Sequence, residues 1–400
     1  MKPLMITSKA SFLSVRHHQL LFTDYINRTE ALYRARQLPF DSIIVYKAGG
    51  NVSFEAVRFL MQNGIPIVHL SWDGTQVAVT LPPGPISGEL RIAQYKTFLD
   101  KERRERLAHA FVEEKVSKTL DLLRFLRRRY PGINLSTVGA VRSSLPLMLF
   151  EGKTAEAYWH EFAKVIRSAQ PRFEFPGRKT SSNNMGACDP VNSLLNYGYG
   201  VLEAKVRLAL QKAGLDPDIG FLHVSQPGAT PLVYDVMELF RWLVDLTVVE
   251  LIESKTIKPE DFSTDSEYKV FLKEEAAHRV VEQLSQNFNR AVNVGKQNLR
   301  YETVLEVDVR MIVRFLFGQT NTIDFRVPFA TDDSWADAGL ALRILDMTPE
   351  ERKELGISKT THWYARRNVR EGKPIRVYAK TRTKLGELPE IIGNGDLPPG

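Results

Sequence analysis

The chain has 400 residues, of which 43% are hydrophobic, and this is enough for more than one domain and for sizeable cores. Its 54 Lys and Arg residues exceed its 47 Asp and Glu residues, and the net charge of +7 favours a polyanionic partner without identifying one. The single cysteine, Cys188, excludes an internal disulfide framework and a cysteine-based zinc site. We find no secretory signal and no apolar run of membrane-spanning length, so we expect an intracellular protein with no membrane partner.

The first 81 residues read as short strands. Their segments rich in β-branched and aromatic residues are bounded by Gly, Asn or Pro, which is typical of strands. The predicted strands are Ser11–Val15, Gln19–Phe22, Ser42–Tyr46, Ile65–Leu70 and Gln76–Leu81. A helix is predicted from about Ser53 to Asn63, because Ser53 suits an N-cap and Gly64 suits a helix end.

Helical periodicity replaces the strand pattern after a linker at residues 82–88, in which three prolines remove hydrogen-bond donors and restrict the backbone. The clearest helix start is Asp189 followed by Pro190, and Gly214 ends that helix. The predicted helices are 89–129, 153–168, 190–213, 231–255, 267–284, 290–298 and 301–317. The sequence therefore predicts an α+β fold with a small N-terminal β-rich domain at 1–81 and a large all-α domain at 89–329.

A lone histidine and two carboxylates mark a candidate metal site. His223 ends a short apolar segment, and Asp235 and Glu238 lie three residues apart on one face of a predicted helix. An imidazole and carboxylates without thiolates suit a hard divalent ion such as Mg²⁺ or Mn²⁺, which most often serves phosphoryl transfer. Two alternatives stay open on these residues alone. The histidine could belong to the core, and the acidic residues could join Arg241 and Asp245 in a solvated, ion-paired face.

A third acidic residue precedes an aromatic stripe. Glu151 opens a stretch that ends in Tyr158-Trp159, and a helix starting just after Glu151 would carry Ala155 and both aromatic residues on one side. Glu151 would then lie at the helix N-terminus.

Four segments, in this order and at these separations, resemble the CRISPR-associated adaptation integrase family. The family patterns are EG-x-x-A-x-x-Y-W, D-P-x-N-x-x-L-x-Y-x-Y, G-F-x-H and Y-D-x-x-E-x-F-R. They match Glu151–Trp159, Asp189–Tyr199, Gly220–His223 and Tyr234–Arg241. The resemblance covers about residues 1–330 and extends to the casposases, which are transposon-borne integrases similar to this family.

The resemblance implies a metal-dependent DNA endonuclease and integrase that joins DNA 3′ ends to a target, as in spacer acquisition by CRISPR adaptive immunity. Glu151, His223 and Glu238 match the family's metal ligands, and Asp235 matches a further catalytic position that supports them. The implied cofactor is Mg²⁺ or Mn²⁺, and the implied partners are double-stranded DNA and DNA ends. A cytoplasmic homodimer and a small nuclease-fold partner protein of the CRISPR adaptation complex are implied as well.

The dimer contact and the rival functions complete this interpretation. We expect the N-terminal β domain to form the dimer contact, with Ile43–Tyr46 and Ile65–Leu70 as pairing strands. A casposase, a repair nuclease for branched DNA and a non-catalytic DNA-binding scaffold are the alternatives. The scaffold would require the loss of Glu151, His223 or Glu238, and all three are present.

Residues 330–385 extend beyond the family pattern and predict a helix-turn-helix, followed by a tail at 386–400. Thr348 and Ser358 suit the N-caps of consecutive helices, and residues 351–400 hold 11 Lys and Arg against 6 Asp and Glu. The residues predicted to contact DNA are Lys359, His362, Arg366 and Arg367. The alternative is a helical hairpin used for packing, in which Trp363 and Tyr364 are buried.

A polar loop is a second candidate for DNA contacts. It contains Arg172, Arg178 and Lys179 and is rich in Ser, Asn and Gly, so it could order on DNA or serve as a connector. For the basic residues of the helix predicted at 89–129, Lys115 among them, we expect contacts to backbone phosphates over part of the surface. The alternative is a solvated, mixed-charge surface, because glutamates interleave with these residues.

Overall fold

The computed structural model describes most of the chain. The described ranges are 2–46, 50–71, 74, 76–85, 87–178, 186–223, 229–266, 269–294, 297–325, 327–329, 348–354, 357–363 and 367. The chain forms two compact units, residues 1–329 and 330–400. The first unit is a mixed α+β fold that begins in strands and continues mainly in helices, as the sequence predicts. The finer boundaries at 81, 89 and 385 stay predictions.

The described strands of the first unit form two four-stranded sheets and two short hairpins. They are β1 (Pro3–Ile6), β2 (Ser11–Arg16), β3 (Gln19–Asp24), β4 (Thr29–Arg34), β5 (Ser42–Tyr46), β6 (Asn51–Val52), β7 (Ile67–Leu70), β8 (Gln76–Thr80), β9 (Phe262–Thr264), β10 (Val270–Leu272), β11 (Ala291–Val294) and β12 (Gln297–Arg300). One sheet has the order β1-β5-β7-β8, with β5 parallel to both of its neighbours. The other has the order β4-β3-β2-β6 and is antiparallel except for the β2-β6 pair.

The central strand β5 is buried. Ile43, Ile44 and Tyr46 have almost no exposed surface, because β5 is hydrogen-bonded on both edges and covered on its faces. β7 is likewise paired on both sides, by β5 and β8. The prediction that Ile43–Tyr46 and Ile65–Leu70 supply pairing strands for a dimer is therefore wrong, since neither strand has a free edge.

Three strands within the first 81 residues were not predicted from the sequence. β1 has four residues and β6 has two, which is too short for alternation to be recognised. β4 lies at the edge of its sheet and none of its residues is fully buried, although Tyr33 packs against the core, so its apolar alternation is weak. The β-rich character of residues 1–81 is nevertheless confirmed.

Helices make up most of the remaining first unit. They are α1 (Phe54–Gln62), α2 (Gly88–Leu99), α3 (Lys101–Arg127), α4 (Leu135–Gly139), α5 (Leu147–Ala169), α6 (Pro190–Ala213), α7 (Pro231–Met237), α8 (Arg241–Glu253), a 3₁₀ turn (Pro259–Asp261), α9 (Glu274–Phe288) and α10 (Tyr301–Leu316). The predicted N-caps are confirmed, since Ser53 accepts a hydrogen bond from the Ala56 N–H and Asp189 accepts one from the Asn192 N–H. None of the described helices is long and apolar enough to cross a membrane.

Three predicted helices need correction. The helix predicted at 290–298 is wrong, because this segment forms the β11-β12 hairpin. The helix predicted at 267–284 begins only at Glu274, after β10 has paired with β9. The helix predicted at 89–129 is interrupted at Asp100, which caps α3 by accepting a hydrogen bond from the Arg103 N–H. The region predicted as all-α thus contains two short hairpins.

The helix predicted at 231–255 is divided at residues 238–240 into α7 and α8. The N–H groups of Leu239 and Phe240 donate to carbonyls three residues back, which tightens the chain into a turn. Trp242 Nε1 donates to the Leu239 carbonyl at 3.1 Å and satisfies an oxygen that a continuous helix would have used. Glu238 consequently lies at the junction of the two helices.

The N-terminal sheet packs directly on the helices of the first unit. The buried Tyr46 of β5 donates its hydroxyl hydrogen to the Leu272 carbonyl at 3.0 Å. Its ring meets that of Tyr197 on α6 edge-on, with centroids 4.9 Å apart. The strand layer is therefore fixed to the helix that carries the second family motif.

The described part of the second unit contains α11 (Pro349–Glu354) and a helical stretch at 359–363. Ser358 Oγ accepts a hydrogen bond from the Thr361 N–H at 3.0 Å, as predicted for an N-cap. Trp363 is 53% exposed, whereas the packing alternative expects it to be buried. Arg366 and Tyr364 lie outside the described residues. The helix-turn-helix stays a prediction.

Two carboxyl groups are buried between α3 and α10. Asp308 Oδ2 has no hydrogen-bond partner among the described residues, and Glu114 Oε1 accepts a hydrogen bond from the Val327 N–H at 2.9 Å. Burial raises the pKa of Asp308 to about 8, and the charge of Glu114 adds to the effect. Burial likewise raises the pKa of Glu114 to about 7, although Lys118 opposes it.

We predict that Asp308→Asn stabilises the protein more at pH 8 than at pH 5. The unfolded carboxyl loses its proton from about pH 4 upward, whereas the folded one keeps it to about pH 8, so wild-type stability falls across this interval. The amide cannot ionise and removes this loss, so its stabilising effect should grow by up to about 4 kcal/mol between pH 5 and pH 8. Thermal melting at both pH values measures it, with the partly exposed Glu306→Gln on the same helix as the control. An equal effect at the two pH values would contradict the prediction.

Candidate functional site

Two acidic side chains from different helices meet at one lysine. Lys115 Nζ of α3 forms an ion pair with Glu151 Oε1 of α5 and lies 2.8 Å from Glu238 Oε2 at the α7–α8 junction. The Glu238 side chain is buried, and those of Lys115 and Glu151 are about one-fifth exposed. Two neighbouring carboxylates would repel each other, and the ammonium between them offsets that repulsion.

Arg241 supplies a second positive charge to Glu238, with its Nε 3.2 Å from Glu238 Oε1. Burial alone would raise the pKa of Glu238, but Arg241 and Lys115 outweigh it and lower this pKa to about 2. Burial would lower the pKa of Lys115, but Glu238 and Glu151 outweigh it and raise that pKa. Glu238 and Lys115 are therefore ionised at neutral pH. The alternative of a solvated acidic face is wrong, because Asp235, Glu238 and Asp245 are buried.

His223 is oriented by Asp235. The imidazole Nδ1 lies 2.7 Å from Asp235 Oδ1, and Nε2 lies 4.0 Å from Glu238 Oε1. When Nδ1–H donates to the carboxylate, Nε2 keeps its lone pair on the side of Glu238. The His223 side chain is 34% exposed, so the alternative of a core histidine is wrong.

Asp235 also accepts hydrogen bonds from the backbone that carries His223. The N–H groups of Phe221 and Leu222 donate to Asp235 Oδ2 at 2.5 and 3.1 Å, and the His223 N–H donates to Oδ1 at 2.9 Å. One buried carboxylate thus holds three consecutive backbone donors and the imidazole. This arrangement fixes both the position and the rotation of the His223 ring.

A cavity of about 780 Å³ opens beside the carboxylates, and Lys115, Glu151 and Glu238 lie in its wall. The rest of the wall brings guanidinium groups and aromatic rings together. The Arg241 guanidinium lies 4.6 Å from the centre of the Tyr199 ring, and that of Arg178 lies 5.4 Å from the same centre. Stacking rings and guanidinium groups are suited to bases and phosphates.

A buried carboxyl holds this aromatic wall. Asp245 accepts hydrogen bonds from the Tyr158 and Tyr199 hydroxyls at 2.7 and 2.5 Å. Burial raises the pKa of Asp245 to about 6, although both tyrosines and Arg241 oppose it. The two rings are therefore held at their hydroxyl ends, and Tyr199 stays beside the Arg241 guanidinium.

The arrangement can be compared with known proteins. The family model for CRISPR associated protein Cas1 matches residues 4–286. This chain belongs to the Cas1 family. CRISPR-associated endonuclease Cas1 1 of Archaeoglobus fulgidus is 28% identical over 305 residues, which cover 69% of this chain and 86% of that protein. Cas1 3 of Thermus thermophilus is 30% identical over 286 residues, which cover 69% of this chain and 82% of that protein.

A solved casposase structure is similar as well. The casposase bound to its integration product is 32% identical, with a TM-score of 0.74, and the match covers 82% of this chain and 94% of that chain. The predicted family is thus confirmed, together with its extension to the casposases. The chain is a member of the Cas1 endonuclease and integrase family.

The four catalytic positions predicted from this Cas1 resemblance lie together. Glu151 and Glu238 share Lys115, while His223 and Asp235 join the group beside Glu238. Glu151 lies in the second turn of α5 and not at the helix N-terminus as predicted, because α5 begins at Leu147. In the described ranges, no three His, Cys, Asp or Glu side chains form a ready ligand set for a metal ion.

The residues predicted to contact DNA in the Cas1 core do not lie together. Arg178 lies in the cavity wall and donates hydrogen bonds to Asn192 Oδ1 and Asn196 Oδ1 at 2.9 and 2.8 Å. Arg172 pairs with Glu260, is exposed, and is not part of this wall. Lys179 lies outside the described residues.

Lys115 is the main residue that sequence reasoning missed in the Cas1 site. The sequence assigns it to a surface of phosphate contacts or solvated charges, and its partners lie 36 residues and more away in the chain, so no periodic pattern connects them. Charge balance is the signal that could have found it, since a site that gathers carboxylates in a buried place needs a compensating cation.

We predict that Gly220→Ala displaces His223 and lowers the joining of DNA 3′ ends at least tenfold. An ideal Cβ at this position would lie 2.7 Å from Pro231 Cβ and 2.9 Å from Asp235 Oδ2, so the backbone must shift and weaken the bonds that hold the histidine. Gly152→Ala is the matched control, because its Cβ would meet nothing within 4 Å and α5 should gain about 0.5–1 kcal/mol. Equal activity of both variants in a strand-transfer assay would refute this role of Gly220.

Proposed function

We propose that this Cas1-family chain is a metal-dependent DNA endonuclease and integrase whose centre is Glu151, His223 and Glu238, with Asp235 in support. The observation that carries the proposal is the meeting of two carboxylates at Lys115 Nζ, with the His223 Nε2 4.0 Å from one of them, Glu238. A cavity of about 780 Å³ with guanidinium groups stacked on a tyrosine ring adjoins it.

The donor set suits Mg²⁺ or Mn²⁺. Carboxylate oxygens and one imidazole nitrogen are the ligands that hard divalent ions accept, and the glutamates already accommodate one positive charge. Glu151, His223 and Glu238 would hold the ion. When bound, the ion would polarise a phosphoryl oxygen and orient the attacking hydroxyl in line with the leaving oxygen.

The chain's own residues would bind and orient the DNA end. Asp235 occupies Nδ1 of the imidazole, so that Nε2 stays on the side of Glu238. Arg178 and Arg241, both held near Tyr199, would neutralise phosphates on the cavity wall. Attack by water on the positioned phosphate would cut the strand, and attack by a DNA 3′ hydroxyl would join two ends.

Two biological settings use this chemistry. Spacer acquisition in the cytoplasm is our primary proposal, because the family model and the curated relatives are CRISPR-associated, and a small nuclease-fold partner protein would complete that complex. Casposon integration is the second candidate, because the casposase is 32% identical over 94% of its length. Joining of terminal inverted repeats to a target, compared with joining of short duplexes to a CRISPR repeat, separates the two. Preferential cutting of branched DNA would instead favour the repair nuclease.

We predict that Glu151→Gln, His223→Ala and Glu238→Gln each lower Mn²⁺-dependent strand transfer at least about 100-fold, since each removes one proposed ligand. Transfer of a labelled 3′-hydroxyl oligonucleotide into plasmid DNA, with and without EDTA, measures the effect. Glu156→Gln is the control, because Glu156 lies on the same helix and lines the cavity but is exposed and pairs with Lys153. Near-full activity in any of the three variants would remove that residue from the site.

We propose that the chain forms a homodimer through the outer face of the β4-β3-β2 sheet. Phe12 and Leu32 are exposed there, and the exposed Tyr25 meets the Phe12 ring edge-on at 5.3 Å. The register places Leu32 opposite Leu21 on the neighbouring strand. Exposed apolar clusters of this kind mark association surfaces, and integration of both ends of a DNA segment needs two active sites.

We predict that the double variant Phe12→Glu, Leu32→Glu weakens dimerisation at least tenfold, because two charges would enter an apolar contact. Sedimentation velocity over a concentration series measures the change. Phe54→Glu, at the exposed start of α1, is the control for a lost surface aromatic residue. A wild-type chain that is monomeric throughout the series, or a variant that dimerises equally well, would count against this surface.

We propose that the second unit adds DNA affinity without taking part in the chemistry. Lys359 and Arg367 are exposed, and the Arg367 guanidinium lies 5.4 Å from the centre of the exposed Trp363 ring. His362 lies on the same helical stretch, and Arg366 remains the fourth predicted contact. An exposed ring with a guanidinium group is suited to nucleic acid.

We predict that Lys359→Ala combined with Arg367→Ala weakens binding of double-stranded DNA and flattens its salt dependence by about 0.9 per lost phosphate contact. Fluorescence anisotropy at several salt concentrations gives the slope. Lys353→Ala, an exposed lysine on α11, is the matched control. An unchanged affinity and slope in the double variant would assign this unit to packing or to docking of another protein.

A further inference from the structure

Lys115 stands where two proposed metal ligands face each other. Its Nζ contacts the Oε1 atom of Glu151 and the Oε2 atom of Glu238, so one ammonium group takes up one oxygen of each carboxylate. A divalent ion held by the same two residues would need those oxygens or their neighbours. The ammonium and the ion would also repel each other at this separation.

The Lys115 side chain can change its rotamer, whereas the backbone of α3 around it is held in place. Glu114, the preceding residue on α3, is buried and bound to the Val327 N–H, which holds this turn of the helix at a second point. Lys115 carries its charge on a flexible four-carbon stem and lines the 780 Å³ cavity. A rotation of the stem would therefore carry Nζ from the carboxylates toward the space where DNA phosphates are expected.

We propose that Lys115 is a positioning residue that competes with the divalent ion: it holds Glu151 and Glu238 together before the ion binds and turns into the cavity afterwards. This inference rests on the proposed function of the site. It assigns to one lysine both the assembly of the ligand pair and the setting of its metal affinity. The displaced ammonium would then face the phosphates of the DNA end, so that ion and DNA favour each other's binding.

The first test measures binding of Mn²⁺ to the full chain by electron paramagnetic resonance of the free ion. Lys115→Met should bind Mn²⁺ at least about tenfold more tightly than wild type, because the competing charge is gone. Lys153→Met removes the same charge two residues beyond Glu151, but Lys153 pairs with Glu156 instead, so its affinity should stay within about threefold of wild type.

The outcomes separate this inference from the function on which it rests. If wild type binds Mn²⁺ and Lys115→Met binds it no more tightly than Lys153→Met does, the competition is overturned and the metal site stands. If neither wild type nor either variant binds Mn²⁺, the metal site fails and the competition fails with it. Lys115→Arg, which keeps the charge, should restore an affinity close to that of wild type.

A second measurement uses the unaltered chain, so that it holds even if Lys115→Met does not fold. Acetylation by an amine-reactive ester, quantified by peptide mass spectrometry, reports how far each lysine is shielded. The acetylation rate of Lys115 should rise at least about threefold as Mn²⁺ is added, and its midpoint should match the midpoint of the Mn²⁺-binding curve. The acetylation rate of the exposed Lys153 should stay constant. Unchanged reactivity of Lys115 at saturating Mn²⁺ would overturn the proposal.

Discussion

The buried charge of Glu238 is the constraint on which the rest of the site depends. A carboxylate with almost no exposed surface must be compensated, and Lys115 and Arg241 approach it from α3 and α8. Lys115 in turn draws in Glu151 from α5. Three helices that are distant in sequence are thus tied at one point. Removing one partner of such a group leaves an uncompensated charge, which typically costs about 3–5 kcal/mol.

The short segment that carries Glu238 organises both sides of the site. Asp235, on α7, points to the backbone before His223 and holds the imidazole. Asp245, on α8, binds the hydroxyls of Tyr158 and Tyr199 and so fixes the aromatic wall of the cavity. The turn at 238–240 separates the two helices and places Glu238 between Asp235, which holds His223, and Asp245, which holds the tyrosines. The geometry of the proposed ligands and the expected DNA-binding wall are therefore set by one continuous stretch of chain.

Local chemistry explains which parts of the fold could be predicted from the sequence. The start of α6 was predictable because Asp189 and Pro190 act within one turn, and so was the cap of α1 at Ser53. The β11-β12 hairpin was not, because its strands have only four residues each, which is too short for a pattern to be recognised. The division at 238–240 was also missed, since it depends on the contact of the Trp242 indole with a backbone carbonyl.

The candidate site divides in the same way. Its acidic residues and histidine could be predicted, because they lie in ordered motifs that resemble a known family. Their counter-ion could not, because Lys115 meets its partners only through the packing of α3 on α5 and on the α7–α8 junction. The aromatic wall of the cavity could not be predicted for a related reason. Tyr199 and Asp245 come from different motifs, and only the folded chain brings their side chains together.

The adjacent residues Glu114 and Lys115 give α3 an unusual intolerance of length changes. An α-helix turns by about 100° per residue, and this lets Glu114 reach the Val327 backbone while its neighbour reaches the carboxylates of Glu151 and Glu238. Inserting or deleting one residue upstream would rotate the helix by that angle and bring a different side chain to each place. An insertion would bring Glu114 next to Glu151 and Glu238, where it would repel them, and a deletion would bring the uncharged Val116 there. Sequence drift in this helix should therefore proceed by substitution, and its spacing should be kept even where its surface varies.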